Sequence, residues 1–447
     1  MTNRIGLRLE DKNPWERRVA LTPEDVAHLT GRSFEIHVER FPRRAFPDTE
    51  YVSSGAVVVD DVRPCELVLG IKEMPKDYFR EGGAYMFFSH TIKGQPYNME
   101  MLRSLVERRC TLLDYEIVTD DQGRRLIFFG RHAGLAGMID TLWTLGRRLD
   151  VLGHPTALLD IGPAHTYADL HAAEVAVAAA GRRLTAEGVP EPLRPMVFGF
   201  TGYGNVSRGA QDVFDLLPHV EVCPGDLAAF VAAKRGLADR LVKVVYREEH
   251  LVRPAEPGRP FELQDYYANG KDYVSIFEPH LGLLTALVNC IYWDERYPKL
   301  ADAEQLRALF AGDAPRLHVV GDISCDVDGS LACTVRNTDS GDPVYVYDPA
   351  TGAAPSGFKG PGLTVMAVGN LPCELPREAS MAFSTALAPF VPALAGAGFG
   401  GPLERAGLPG PIERSVILWR GEFAPRYQNL RGFLHPAPAA TGRSARS

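Results

Sequence analysis

The 447-residue chain has few of the features that mark disulfide-rich, membrane or nucleic-acid-binding proteins. Its seven cysteines are scattered singly, without a Cys-x-x-Cys pair, which argues for reduced thiols and against a disulfide framework or zinc site. No apolar run approaches the roughly 18 residues that span a membrane, and the charged N-terminus is not typical of a signal peptide. The net charge of -8 argues against a basic nucleic-acid footprint. We therefore expect a cytoplasmic protein without nucleic-acid or membrane partners.

The histidines near the middle of the chain do not have the spacing of a metal site. His154, His165 and His171 lie in GHPTALLDIGPAHTYADLH, and none of their separations is the i, i+4 pattern of helical metal ligands. We expect no metal.

What the chain does have is two series of apolar strands alternating with helices. Strands such as ELVLGIK are apolar throughout their bodies, which is typical of a parallel sheet covered on both faces. A second series opens at PMVFGF, after a long helix rich in small residues. We predict an α/β fold of two Rossmann-like doubly wound domains with an interdomain cleft. The predicted bounds are 1–135 plus about 365–430 for the substrate domain, 136–364 for the dinucleotide-binding domain and 431–447 for a disordered tail.

A glycine turn in the second series predicts a dinucleotide site. In FGFTGYGNVSRGA, Gly202 and Gly204 follow a strand and open a helix whose first residues are Asn205, Val206 and Ser207. This arrangement lets the backbone approach a pyrophosphate and offers it N–H donors, although Ser207 stands where a third glycine is usual. A plain glycine-rich turn is the alternative.

The position expected to read the ribose holds no acid. About 20 residues beyond the glycines the chain has Val222, Cys223 and Pro224, with Asp226 slightly late. An acid there would repel the 2′-phosphate of NADP, so its absence favours NADP(H), with NAD(H) still open.

Four strand ends of the first series carry ionisable groups, and ligands of open α/β sheets bind beyond such ends. Lysine and histidine suit proton transfer, and arginine suits carboxylate binding. Any one of these groups alone would be a solvated strand end, but four in succession predict a single cleft. The groups are Arg17–Arg18, Lys72–Glu73, His90 with Lys93, and Asp114 with Glu116.

Several stretches together resemble a known family. They are GIKEMP, FFSHTIKGQ, LLDYEIVTDDQGRRLIFFGRHAGLAGM, FTGYGNVSRGAQ, NCIYW, DISCDVDGS and NLPCELPREAS, in order between about residues 4 and 395. They are similar to the saccharopine-linked enzymes of lysine metabolism, within the alanine dehydrogenase and transhydrogenase superfamily. GHPTALLDIGPAHTY resembles the lysine–2-oxoglutarate reductase branch, which forms saccharopine and typically uses NADPH.

The resemblance implies roles for individual residues. Lys72 and His90 are implied as an acid–base pair, and Arg18 and Arg125 as ligands of substrate carboxylates. The other implied site residues are Glu73 and Glu116, which tune the lysine and hold the amine, Lys93 as a charged site residue, Phe129 lining the cleft, and Asp322 near the nicotinamide.

The expected function is NAD(P)-dependent reductive condensation of L-lysine with 2-oxoglutarate to saccharopine, or the reverse, with small-molecule partners and a homo-oligomer left open. One departure matters, because the family has an acid where this chain has Gly369. That change motivates an alternative, an opine-type imine reductase joining another amine and keto acid. Ser207 motivates a third reading, a nucleotide-sensing protein without catalysis.

Overall fold

The computed structural model describes residues 4–233, 237–312 and 315–434. The chain divides into a discontinuous unit, Met1–Phe129 with Pro376–Ser447, and a continuous unit, Gly130–Leu375. Both are built from strands and helices, so the α/β fold class is confirmed. None of the described helices is both long and apolar enough to span a membrane.

The strands follow one another along the chain with helices between most of them. In chain order they are β1 Ile5–Leu7, β2 Ile36–Glu39, β3 Val57–Val59, β4 Leu67–Leu69, β5 Ala84–Phe87, β6 Thr111–Asp114, β7 Val197–Thr201, β8 His219–Glu221, β9 Leu241–Tyr246, β10 Val252–Pro254, β11 Tyr273–Ser275, β12 Ala286–Asn289, β13 Val319–Asp322, β14 Val344–Tyr347, β15 Leu363–Met366, β16 Val416–Trp419 and β17 Glu422–Phe423.

The helices vary from a single turn to six turns. They are α1 Pro23–Thr30, α2 Asp48–Ser53, α3 Pro96–Glu107, α4 Gly130–Val151, α5 Leu170–Glu187, α6 Asn205–Phe214, α7 Leu227–Ala232, α8 Glu248–Leu251, α9 Leu263–Ala268, α10 Glu278–Leu281, α11 Ala303–Phe310, α12 Pro376–Leu387, α13 Val391–Ala395, α14 Gly410–Arg414 and α15 Arg431–Leu434.

The discontinuous unit has one sheet in the order β17-β16-β6-β5-β4-β1-β2-β3. The strands from β1 to β6 pair in parallel, and β16 joins β6 antiparallel. Leu67 pairs with both Ile5 and Ala84, and Ala84 pairs with Thr111, so these four strands end side by side. The polar segments that follow them therefore start at one sheet edge.

The apolar strand bodies form the core of this unit. Leu67, Val68 and Leu69 are each at most 1% exposed, because helices cover both faces of the sheet. The apolar run predicted from the sequence is thus buried, and Lys72 follows it by three residues.

The continuous unit has a sheet in the order β14-β15-β13-β12-β7-β9-β8, parallel except for the β14–β15 pair. Helices α4 and α6 pack closely here through glycines. A Cβ on Gly134 would lie 1.9 Å from the Val206 carbonyl oxygen, and one on Gly209 would lie 2.1 Å from the Arg131 carbonyl oxygen. Gly209 thus provides the close packing that a third glycine at 207 would otherwise give.

The unit boundaries differ from those predicted. The continuous unit begins at Gly130, where α4 starts, rather than at 136, because the whole helix packs within that unit. The second crossing falls after Leu375 rather than near 365, because β15 pairs with β13 and β14. Residues 431–434 form α15, and the rest of the predicted tail lies outside the described residues. The expected cleft remains a prediction.

Candidate active site

Lys72 lies just beyond the carboxyl end of β4, where a buried carboxylate holds the backbone. Glu10 Oε1 accepts the Ile71 N–H at 2.6 Å, and Oε2 accepts the Lys72 N–H at 3.1 Å. Burial lowers the pKa of the Lys72 ammonium, and the nearby Arg18 lowers it further, against the opposing effect of Glu73. Lys72 therefore gives up its proton more readily than an exposed lysine.

Glu10 itself is buried and has a shifted pKa. Burial raises the pKa of this carboxyl to about 8, although Arg8 opposes the shift. Sequence analysis missed Glu10. The sequence signal that could have identified it is an acid at the end of the stretch IGLRLE, at the sheet edge where the other candidate residues lie.

Arg18 is held in a buried ion pair in this unit. Its Nε donates to Glu16 Oε1 at 2.8 Å and its Nη2 donates to Glu16 Oε2 at 2.6 Å. Both side chains are at most 1% exposed. The guanidinium also lies 4.3 Å from the Phe129 ring centroid. Arg18 was predicted to bind a substrate carboxylate, but two of its guanidinium nitrogens donate to Glu16. Glu16 was not predicted from the sequence as a site residue.

Glu73 turns toward a second lysine. Lys12 Nζ lies 3.5 Å from Glu73 Oε2, and the Glu73 side chain is 10% exposed while Lys12 is 45% exposed. The pair sits beside Lys72, so Glu73 supplies negative charge on the same side of the sheet edge.

His90, Glu116 and Arg125 form a second charged group. His90 Nδ1 lies 3.6 Å from Glu116 Oε2, and Arg125 Nη1 lies 4.0 Å from Glu116 Oε1. The neighbouring His90 lowers the pKa of the Glu116 carboxyl, and Arg125 and the exposed Lys93 add to the effect. The Glu116 carboxylate is thus placed to orient the imidazole ring of His90.

Buried Asp114 holds the backbone segments that carry this charged group. It accepts the backbone N–H of Ser89 at 3.0 Å and that of Glu116 at 2.7 Å, so one carboxylate ties together the segments that carry His90 and Glu116. Burial raises the pKa of Asp114 to about 6. Asp114, one of the predicted strand-end groups, is therefore enclosed rather than open to a ligand.

An aromatic cluster connects the two charged groups. Phe88 stacks on His90 with centroids 6.1 Å apart, and lies 5.9 Å from Phe129, over which Arg18 sits. Phe383 of α12 stacks on Phe129 at 5.0 Å. Contacts therefore run from His90 to Arg18, the cation that acts on Lys72. Phe383 comes from the C-terminal part of the chain and was not predicted from the sequence as a site residue.

The glycine turn of the continuous unit has the shape that a pyrophosphate requires. Gly202 has a φ of +81°, which favours glycine, and its N–H donates to the Tyr246 carbonyl at 2.9 Å. Gly204 caps α6 without a side-chain acceptor, and a Cβ there would meet nothing within 4 Å. The first-turn N–H groups of Asn205, Val206 and Ser207 have no intrahelical partners. These residues fit a dinucleotide phosphate.

The ribose side of this turn differs from the prediction. Strand β9 pairs with β7 there, and β8 pairs with the other side of β9, at the edge of the sheet. Cys223 follows β8, so it is one strand further from the glycine turn than predicted. The end of β9 instead brings Arg247, whose guanidinium lies 5.1 Å from the Tyr203 ring centroid within the turn.

Asp322 lies at the end of β13 in a network of buried hydrogen bonds. Its Oδ1 accepts Asn289 Nδ2 at 2.9 Å, and its Oδ2 accepts the Thr334 hydroxyl at 2.5 Å. Thr201, the last residue of β7, donates to Asn289 Oδ1 at 2.7 Å. This network ties three strand ends together beside Gly202. No group of metal-ligating side chains is found among the described residues.

Comparison with known proteins agrees with this architecture. Residues 6–136 match the family model described as alanine dehydrogenase/PNT, N-terminal domain. The chain is 36% identical over 441 residues to an alpha-aminoadipic semialdehyde synthase of Arabidopsis thaliana, covering 95% of this chain and 41% of the relative. It is 28% identical over 401 residues to an NAD(+), L-lysine-forming saccharopine dehydrogenase of Yarrowia lipolytica, covering 86% and 90%.

The chain is thus similar to alpha-aminoadipic semialdehyde synthases and to lysine-forming saccharopine dehydrogenases. The resemblance predicted from the sequence is thus confirmed. The chain spans less than half the length of the alpha-aminoadipic semialdehyde synthases that it matches, 41% and 47% for those of Arabidopsis thaliana and Bos taurus. A solved L-alanine dehydrogenase superposes with a TM-score of 0.62 at 18% identity, covering 97% of this chain and all of that one, which supports the fold.

Proposed function

We propose that the chain catalyses the reductive condensation of L-lysine with 2-oxoglutarate to saccharopine, or the reverse reaction, with a nicotinamide dinucleotide. The observation that carries the proposal is the carboxyl edge of the discontinuous sheet, where Lys72 has a lowered pKa and His90 is paired with Glu116. The names of the relatives agree with this chemistry, since one is a lysine-forming saccharopine dehydrogenase.

The condensation needs protons to move twice before reduction. The substrate amine must lose a proton to attack the ketone, and the carbinolamine oxygen must gain one to leave as water. In the proposal Lys72, with its lowered pKa, takes the proton from the amine. His90, which lies beside Glu116, gives the proton to the leaving oxygen.

The substrates bring three carboxylates, and the site has cations for them. Arg125 has a 45% exposed side chain and Lys93 is exposed, so both are open to a ligand. We assign the carboxylate contacts to these two first. Arg18, paired with Glu16, is proposed to act through its charge beside Lys72.

The dinucleotide is proposed to bind at the glycine turn, with its pyrophosphate on the N–H groups of Asn205, Val206 and Ser207. When bound, the nicotinamide supplies the hydride that reduces the imine. We propose NADP(H) over NAD(H) because exposed Arg247 lies at the end of the strand next to β7. Asp322 is proposed to position the strand ends rather than to contact the cofactor.

The cofactor preference can be tested at Arg247. We expect Arg247→Gln to weaken NADPH binding about tenfold and to leave NADH binding unchanged, because only NADPH carries the 2′-phosphate. Titration of intrinsic fluorescence with both dinucleotides measures this. Arg253→Gln, at an exposed arginine on β10, is the matched control. Equal losses for both dinucleotides would contradict the assignment.

The function itself is tested by mixing the protein with L-lysine, 2-oxoglutarate and either NADPH or NADH. We expect loss of reduced-dinucleotide absorbance that needs both substrates. Absence of turnover in both directions with both dinucleotides would overturn the proposal. Because all seven cysteines are free, we also propose a reducing compartment, the cytoplasm.

A second candidate, an opine-type imine reductase, is favoured by Gly369. This residue is exposed, and a Cβ there would meet only the Asn337 side chain, at 3.7 Å or more. The resemblance leads one to expect an acid here, and its absence leaves room for a different amine. A panel of amines with 2-oxoglutarate separates the candidates, because lysine would then be a poor substrate compared with another amine. A non-catalytic sensor would bind a dinucleotide and turn over none of them.

A further inference from the structure

A cavity of about 390 Å³ lies in the continuous unit at the sheet edge opposite the glycine turn. Its lining includes Leu193, Thr285, His318 and Gly362, which precede β7, β12, β13 and β15. These strands are parallel, and β7 begins near the cavity and ends at Thr201, directly before Gly202. Five strand residues correspond to about 16 Å, so the cavity is separate from the predicted dinucleotide site.

Two arginines line this cavity without a carboxylate partner among the described residues. Arg148 donates to the carbonyl oxygens of Phe358, Gly360 and Gly362, all of them neutral. Arg316 donates to the carbonyl oxygen of Pro195. In both arginines the Nε atom is buried and has no hydrogen-bond partner.

The ionisable side chains in the described lining of the cavity are all basic. Burial lowers the pKa of both guanidinium groups, and no acid among the described residues raises either one. Burial, followed by Arg148, Arg316 and His154, lowers the pKa of His318 to about 4, so this histidine is neutral at pH 7. The described lining residues include no aspartate or glutamate. A buried Arg148 and a half-buried Arg316 with no carboxylate partner among the described residues are unfavourable, and an anion would compensate them.

We propose that this cavity binds a small organic oxyanion, a carboxylate or a phosphate monoester, between Arg148 and Arg316. The volume is at the lower end of the range for small-molecule sites, which is about 300–1,000 Å³. Leu152, Leu193 and Phe310 form an apolar part of the lining. A ligand with one oxyanion group and a few carbon atoms matches both the charge and the surface. The proposal does not depend on the function proposed above.

The inference is tested on the full chain with two probes, malonate and phenyl phosphate, against sodium chloride at equal ionic strength. We expect at least one probe to raise the melting temperature and to bind in calorimetry. Binding of malonate alone identifies a carboxylate site, and binding of phenyl phosphate alone identifies a phosphate site. The same affinity in the presence of saturating NADPH is expected, because the two sites lie at opposite sheet edges.

Two variants and a control locate the binding. Arg316→Gln removes one charge and Leu152→Trp fills the cavity without changing charge, and each should weaken binding at least about tenfold. Arg182→Gln, at an exposed arginine on α5, should bind like the wild type. If Arg316→Gln does not fold, the probe affinity of Leu152→Trp alone tests the proposal. No binding beyond the chloride control, unchanged affinity in the variants, or displacement by NADPH would each overturn the proposal.

Discussion

The carboxyl edges of the two sheets hold their polar groups in opposite ways. In the discontinuous unit the edge carries, beside buried acids such as Glu10, side-chain pairs that are partly open to solvent, such as His90 with Glu116. In the continuous unit the edge is braced by buried Thr201, Asn289 and Asp322, and offers a ligand backbone N–H groups and open space at Gly204. In the proposed function the first edge serves proton transfer and the second positions the dinucleotide, and the difference lies in side chains rather than in topology.

The largest expected effect is on the proton-transfer side of this comparison. Lys72→Met should lower kcat/KM about 10²–10⁴-fold, because the site loses the base that accepts the amine proton, while dinucleotide affinity stays the same. Steady-state kinetics and a binding titration measure the two effects. Lys76→Met, at an exposed lysine paired with Glu100, is the matched control and should keep full activity. Full activity in Lys72→Met would remove the lysine from the mechanism.

The next effect is a pH dependence of stability that comes from Glu10. Burial raises the pKa of this carboxyl from 4.5 to about 8 in the folded state. The neutral form is thus favoured by folding, so the contribution is complete below pH 4.5 and is lost as the pH rises through 8. Between pH 5 and 9 the free energy of unfolding should fall by up to about 4 kcal/mol from this group.

Denaturant titrations of the wild type and Glu10→Gln at several pH values test this prediction. The variant keeps an acceptor for the Ile71 N–H and lacks the titration, so its stability should fall less steeply over the same range. Parallel curves for the two proteins would show that Glu10 titrates alike in the folded and unfolded states. Glu24→Gln, at an exposed glutamate on α1, is a suitable control.

Replacing one acid by alanine at the carboxyl edge of each sheet compares the two edges directly. Asp322→Ala should lower the free energy of unfolding by about 3 kcal/mol, because Asn289 Nδ2 and the Thr334 hydroxyl would lose a buried acceptor. Glu116→Ala should cost under about 1 kcal/mol, because its ion pairs are partly solvated. Denaturant unfolding at pH 7 measures both. Equal losses would contradict the distinction between the edges.

A smaller effect is expected at the glycine turn. A Cβ on Gly204 meets nothing within 4 Å, so Gly204→Val should cost only about 1 kcal/mol of stability, from the poorer N-cap. The added side chain would occupy the space next to the helix N-terminus, and dinucleotide affinity should fall tenfold or more, which is about 1.4 kcal/mol. Gly225→Val, where a Cβ also meets nothing within 4 Å, is the control. An unchanged affinity in Gly204→Val would place the phosphates elsewhere.

Sequence patterns predicted what depends on neighbours along the chain. The apolar body of β4, the charged residues after it and the glycine turn before α6 are all local signals. The missed residues depend on contacts between distant segments. Glu10 binds the backbone of Ile71, and Phe383 reaches Phe129 from the C-terminal part of the chain.

Strand order was also beyond the reach of local patterns. Both β8 and β9 are short strands that follow the glycine turn, and nothing in either sequence says which one pairs with β7. The structure gives that place to β9, so attention moves from Cys223 to Arg247. The boundary near 365 was misplaced for the same reason, since the apolar strand β15 suits either sheet.

The most direct measurement of the central claim follows the hydride itself. NADPH carrying two deuterium atoms at the nicotinamide C4 is mixed with the protein, L-lysine and 2-oxoglutarate, and the product is analysed by mass spectrometry. The account predicts saccharopine with one deuterium on the carbon that was the keto carbon of 2-oxoglutarate, and none with Lys72→Met. Saccharopine without deuterium, or consumption of NADPH with no condensed product from any amine, would contradict it.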